Sequence, residues 1–349
     1  MAFAENILIT DIVKTVEGDW TVSYRSNQPV NSIQFSKSPD TSRIKRWELL
    51  DDGFEFRVFN QKETVVRRDN QTFTSVTFKL TPTYIHLPKY YAPFSPFSDG
   101  SMLLHSARFF ACSNFCSGRE NTFYLTLTAP ENDQIIVNEH NVTKHASWYD
   151  SNDGQKVFVG RTNQLVHPKY RAVIDDGLPE SIVEALNLKL PLFIEALESR
   201  LLPMQGKPTL YASYSKDLNV GLEGRFGRQG GVLANQVFMH WYGKVVEDNH
   251  YELLWFFAHE AVHMYQGYSD RVITPEDAWI HEGYADFIAG KLLVEYFPAS
   301  IDYVKVRSRK AKQACINELN ENSIEDFASM GQYQTLYQCG LYFLSLIHI

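Results

Sequence analysis

AHEAVHMYQ, residues 258 to 266, sets His259, Glu260 and His263 within five positions. The surrounding segment, EDNHYELLWFFAHEAVHMYQGY (247–268), is apolar around most of its circumference, as a buried helix is. Gly267 is a natural C-terminal stop for it. Positions four apart on a helix point the same way, so His259 and His263 project together. That spacing suits one zinc ion held through two imidazole nitrogens. Glu260, beside the first histidine, is displaced from the ligand direction but placed to take a proton from a water at such a metal. The competing reading is a pair of core histidines. Chance gives the His-Glu-x-x-His spacing roughly once in fifty chains of this kind, and two buried imidazoles on one face without partner or metal are costly.

Zinc needs a third protein ligand and an open position for water. TPEDAWIHEGYADFIAGKLLVEYFP, residues 274 to 298, reads as the next helix. Thr274 is its N-cap, Pro275 lies in the first turn, Asp277 closes a capping box, and the helix ends before Pro298. Eighteen residues separate His263 from Glu282, enough for one helix to end and a second to pack back, so Glu282 faces the histidines. Asp286, one turn further, can accept the free N–H of a ligating imidazole and fix its tautomer. His281 points elsewhere and is read as a packing or pocket-edge residue, not a ligand. A solvated acidic face fits poorly with the neighbours Trp279, Ile280, Phe287 and Ile288.

The 349 residues allow two domains. From about residue 6 to 170, short alternating runs such as WTVSYRS, FEFRVF and TFYLTLTA are separated by turn clusters such as LDDGF and SNDGQ. This pattern predicts an antiparallel β-sandwich. After about residue 175 the period becomes helical: 178–202 reads as helix with a break near Pro191. PTLYASYS reads as a strand, Gly221 to Gly231 as a glycine-rich loop without the ending of a phosphate loop, and VLANQVFMHWYG as a strand. The predicted fold is α+β: a β-rich domain over 1–172, then a mainly helical domain over 173–349.

A net charge of -8 does not favour nucleic acid or an anionic membrane as partner. The basic run KVRSRKAK, Lys305 to Lys312, reads as a solvated helix face. No apolar run reaches the 18 residues of a membrane span. Four cysteines do not make a disulfide scaffold; Cys112 and Cys116 are close enough to pair, while Cys315 and Cys339 lie far from them. The start, MAFAENILITD, carries no intact signal peptide. A cytoplasmic protein and one exported after signal removal both fit.

Together, His259-Glu260-x-x-His263, eighteen intervening residues and Glu282 within WIHEGYADF resemble the gluzincin metallopeptidases of the alanyl aminopeptidase and leukotriene hydrolase family. Trp279, Glu282, Gly283, Tyr284 and Ala285 match that family's Trp-x-x-Glu-Gly-aromatic-Ala signature. The resemblance implies a thermolysin-like catalytic domain after a β domain, and one Zn²⁺ held by His259, His263 and Glu282. It implies Glu260 as general base and Tyr337, in YQCGLYFL, as donor to the oxyanion, with Tyr333 one turn earlier as rival. The family's amine-holding Gly-x-Met-Glu-Asn motif has its nearest counterpart in GGVLANQVF, where Gly231 and Asn235 are the suggestive residues and no glutamate is in register. Glu223, in the preceding loop, is the candidate substitute. YYAPFSPFSDGSMLLHSARFF in the N-terminal half is loosely similar to the leading domain of glycyl aminopeptidases. Family members continue for further helices past the point where LSLIHI ends this chain, so a C-terminally incomplete catalytic domain is expected.

The implied activity is zinc-dependent hydrolysis at peptide N-termini. Opening of an epoxide at the same metal and zinc-stabilised binding without turnover are the alternatives; Glu260, useless for mere binding, weighs against the second. Side-chain preference, oligomeric state and compartment are left open.

Overall fold

A computed structural model describes residues 7–87, 90–116, 122–168, 170–201, 206–216, 227–245, 250–266 and 277–347. The N-terminal half forms three sheets. The first joins β1 (Leu8–Lys14), β2 (Trp20–Val30), β4 (Trp47–Leu49), β7 (Phe73–Leu80), β11 (Phe123–Thr128) and β14 (His145–Asp150) in the order β14-β11-β1-β2-β7-β4. The second joins β3 (Ser32–Phe35), β5 (Phe54–Phe59), β6 (Lys62–Arg67) and β10 (Ala111–Ser113) in the order β10-β3-β6-β5. The third runs β13-β12-β15-β9-β8, from β8 (Phe94–Pro96), β9 (Met102–His105), β12 (Gln134–Val137), β13 (His140–Thr143) and β15 (Lys156–Gly160). A short helix, α1 (Ser42–Arg46), precedes β4. Period-two patterning explains the burial: β2 turns Trp20, Val22 and Tyr24 inward, where they join Phe35, Trp47, Phe78 and Phe109 in one core.

Pairing is antiparallel throughout these sheets except between β1 and β11, which run parallel with Ile9 opposite Tyr124. The expectation of an antiparallel sandwich is corrected here. Alternation sets which face of a strand is buried but not its direction. A long connection separates β1 from β11, so no hairpin fixes the sense of that pair.

The second half is built on a five-stranded sheet, β16-β17-β18-β20-β19. Its strands are β16 (Gln164–Val166), β17 (Arg171–Ile174), β18 (Thr209–Ser215), β19 (Gly227–Leu233) and β20 (Gln236–Tyr242). The division expected at 172/173 falls inside β17. α2 (Glu180–Leu188) and α3 (Leu190–Arg200) carry the chain from β17 to its parallel neighbour β18, with the helix break at Lys189, just before Pro191. Every residue of β18 and β20 is buried, as expected of strands covered on both faces. Phe97, Leu103, Ile136 and Phe158 pack against Val173, Tyr211, Leu233 and Phe238, joining the third sheet to this one.

Helices α4 (His250–Gln266), α5 (Ala278–Tyr296), α6 (Ile301–Leu319), α7 (Asp326–Ser329) and α8 (Tyr333–Ile347) complete the described chain. Thr274 and Pro275, expected to open α5, and Gly267, expected to close α4, lie outside the described residues. α5 and α8 meet at two glycines. A Cβ on Gly283 would stand 2.3 Å from Gly340 Cα, and one on Gly340 would stand 1.9 Å from the Trp279 carbonyl oxygen. Gly283→Ala therefore forces the helices apart. It is expected to lower unfolding stability by about 1–3 kcal/mol, the usual range for overpacking. Chemical denaturation checks this, and parental stability would disprove the contact.

Cys112 pairs with Cys116, and Cys315 with Cys339. The second bond ties α6 to α8 within a cluster containing Phe327 and Leu336. Sequence spacing did not suggest it; the packing of α6 on α8 creates the proximity. Among the described residues no helix is long and apolar enough to cross a membrane.

Candidate active site

α4 lies against β19 and β20 and buries Leu253, Leu254, Phe257, Ala258 and Ala261, which leaves His259, Glu260 and His263 on the face toward α5. α5 returns alongside α4 and brings Glu282 to the two histidines. His259 Nε2 is 3.1 Å and His263 Nε2 is 3.0 Å from Glu282 Oε2, and the two ring nitrogens are 2.9 Å apart. These three donors form the one group of potential metal ligands among the described residues.

The outer nitrogen of each ring is held by an acceptor. His259 Nδ1 is 3.0 Å from Asp286 Oδ1, an oxygen that also accepts from Trp255 Nε1 at 2.5 Å. His263 Nδ1 is 2.6 Å from Gln266 Oε1, and the Gln266 amide nitrogen donates to the His281 carbonyl at 2.9 Å. With the outer nitrogens held by Asp286 and Gln266, both Nε2 atoms face the Glu282 carboxylate: a protonated ring donates to it there, and a neutral ring would turn a lone pair to a metal ion. Two imidazole nitrogens and a carboxylate oxygen converging at about 3 Å suit a shared positive charge, a proton or a metal ion. Tetrahedral ligands at zinc distances keep about 3.3 Å from one another, so the donor set fits zinc in identity and in spacing. The same demand sets the protonation behaviour. Burial opposes charge on His259, but its bonds to Asp286 and Glu282 and the field of Glu260 lift its pKa to about 10. Burial works against the Glu282 carboxylate too, yet the bonds from His259 and His263 hold it well below the usual range. The cluster is built to attract one positive charge.

Asp286→Asn keeps the shape but weakens the outer acceptor. Zinc affinity, measured by competition with a chelating dye, is expected to fall about 10–100-fold, as for other partners of ligating histidines. Undiminished affinity would deny Asp286 that positioning role.

These residues open into a cavity of about 520 Å³ that also reaches Glu260, Tyr337, Gln334, Tyr91, Arg228 and Arg307. Glu260 is buried, and desolvation raises its carboxyl above the ordinary range despite the nearby histidines. The Tyr337 ring stacks on His259 with centroids 6.1 Å apart. Burial, then the fields of Glu282 and Glu260, push its phenol far up, so it stays a proton donor. The rival Tyr333 packs instead beside the Cys315–Cys339 pair. His281 stacks on His263 at 4.5 Å and lines the cavity, a pocket-edge position.

The substrate-contact expectations divide. Gly231 lies in β19 and lines the cavity with Gly230 and Val232; its lack of a Cβ is required by Tyr91, whose hydroxyl would stand 2.5 Å from one. The glycine-rich loop expected over 221–231 is thus corrected from Gly227 onward to a strand. Asn235 is placed away from the cavity: it occupies the β19–β20 turn with φ 55° and donates to Glu139 at 3.0 Å. Glu223 lies outside the described residues. Two neighbours of the donors were not anticipated. Gln266 carries a weak signal, its i+3 spacing from His263. Arg307 carries none: it lies in the predicted solvated run, yet stacks on Trp255 at 4.6 Å and approaches Asp286 at 3.9 Å.

The arrangement of β-rich segment, mixed sheet and helices is similar in fold to solved structures. Two solved structures carry the likeness. An aminopeptidase N family protein from Idiomarina loihiensis aligns over 97% of this chain with a TM-score of 0.60 at 11% identity. Yeast LTA4 hydrolase, solved with bestatin, aligns over 98% with a TM-score of 0.53 at 11% identity. This chain spans 66% and 58% of their respective lengths. No family model and no curated protein matches its sequence.

Proposed function

We propose that this protein is a zinc-dependent peptidase acting at peptide N-termini, with a β-rich segment over 1–172 leading a catalytic segment over 173–349. One observation carries the reading: His259, His263 and Glu282 converge beside Glu260 and Tyr337 in a single open cavity. A zinc ion held by the three donors would lower the pKa of a water and polarise a carbonyl. Glu260 takes the proton of the attacking water and returns it to the leaving amine; its burial-raised carboxyl suits both steps. Tyr337 donates from its phenol to the oxyanion as it develops. Among the described residues β19 is the outer strand of its sheet, so Gly230 to Val232 offer an edge along which an extended peptide can lie.

The test is to purify the protein, measure its zinc content, and assay peptides with free and acetylated N-termini alongside epoxides. Expected are about one zinc per chain, hydrolysis of free peptides abolished by a chelator and restored by zinc, and no turnover of epoxides. Metal-loaded protein that hydrolyses no peptide would refute the proposal. Equal rates on free and acetylated peptides would refute the N-terminal preference alone.

A further inference from the structure

Next to the catalytic cavity, and sharing Tyr91 with it, lies a second cavity of about 250 Å³. Lys37, Tyr90, His105, Arg108 and Asp153 complete its polar lining. The proposed hydrolysis has no use for any of them. Arg108 and His105 are 4% and 5% exposed. Arg108 Nε and Nη1 and His105 Nδ1 are buried with no hydrogen-bond partner. The ion-pair neighbour of Arg108 is Asp40, whose oxygen stands 3.8 Å from Nη2. Lys37, half exposed at the rim, reaches Asp153 at 2.8 Å. Behind the shared wall the buried Lys156 ammonium lies 5.3 Å from the Tyr91 ring centroid. Among the described residues two cationic side chains, Lys37 and Arg108, line the cavity with one carboxylate, Asp153.

The Arg108 guanidinium is buried at the cavity wall with one carboxylate, Asp40, 3.8 Å from Nη2, an arrangement that an anion in the cavity would complete. Its planar fork suits two oxygens held by one atom. Burial has already pulled the Arg108 pKa down to about 10 and that of Lys156 to about 7, the response of cations short of counter-charge.

We propose that this cavity binds an oxyanion, a carboxylate or phosphate group, through Arg108 and Lys37. The site stands apart from the peptidase reading and does not rest on it. The oxyanion has two sources: a free anion, or the acidic end of a peptide that passes Tyr91 from the catalytic cavity.

The experiment is calorimetric titration of the purified protein with inorganic phosphate at fixed ionic strength. Saturable binding is expected, weakened about tenfold or more in Lys37→Ala and in Arg108→Gln. Lys37 is half exposed, so its variant decides the matter if Arg108→Gln does not fold. No saturable binding would overturn the proposal. So would binding unchanged in Lys37→Ala, which would locate the phosphate elsewhere, the metal donors included. Repeating the titration with peptides carrying a C-terminal carboxylate or amide separates the sources. Displacement of phosphate by the carboxylate form alone supports a substrate-borne group, and displacement by neither supports a free anion.

Discussion

Glu260→Gln is expected to lower kcat by about two to four orders of magnitude, the usual range for a general base, while zinc content stays at the parental level. The two effects separate because the residue is not one of the three converging donors. The side chain is buried beside them, at a point where a carboxylate can take a proton and an amide cannot. The replacement is nearly isosteric, so neither cavity shape nor the outward bonds of His259 and His263 should change. Desolvation disfavours the charged form of Glu260, so removing that charge relieves a burial penalty and the variant should fold at least as well. KM should move little, since the base acts on the water and not on the peptide's binding groups. A variant that turns over peptides at the parental rate ends the assignment. One that loses its zinc would show that Glu260 supports the metal.

What the sequence revealed follows from what is local. His259, Glu260 and His263 were legible because a helix converts a four-residue spacing into a shared direction. Glu282 and Asp286 were legible because the next helix has a similar period and a short connection. The strands of the first half were legible through alternation, though the parallel β1–β11 pair was not, since direction leaves no mark in the pattern. Glycines misled at 227 to 231: they read as loop, whereas the strand needs them because Phe238, Tyr91 and Tyr242 come within touching distance of their backbone. Asn235 misled in the opposite sense. Its place in a motif-like stretch suggested substrate, but a left-handed turn favours Asn by itself. Arg307, the Cys315–Cys339 bond and the anion cavity depend on how separate elements pack. No window of sequence contains them.

Tyr337→Phe is expected to lower kcat by about 10²–10³, the loss typical for one oxyanion donor, with zinc content and KM close to parental. Periodicity alone did not choose between Tyr337 and Tyr333, one turn apart on α8; packing separates them. Gly340 lets α8 approach Gly283 of α5, and this contact directs Tyr337 onto the His259 ring. Tyr333 packs against the cluster around Cys315 and Cys339. The phenol of Tyr337 faces the carboxylates of Glu282 and Glu260, which with burial raise its pKa and keep its proton in place. Such a group donates most strongly when negative charge develops opposite it, so its loss should appear in kcat and not in ground-state binding. Tyr333→Phe is the control and should keep parental kcat. If Tyr337→Phe keeps parental kcat instead, the oxyanion role falls; if Tyr333→Phe alone loses it, the role moves one turn along α8.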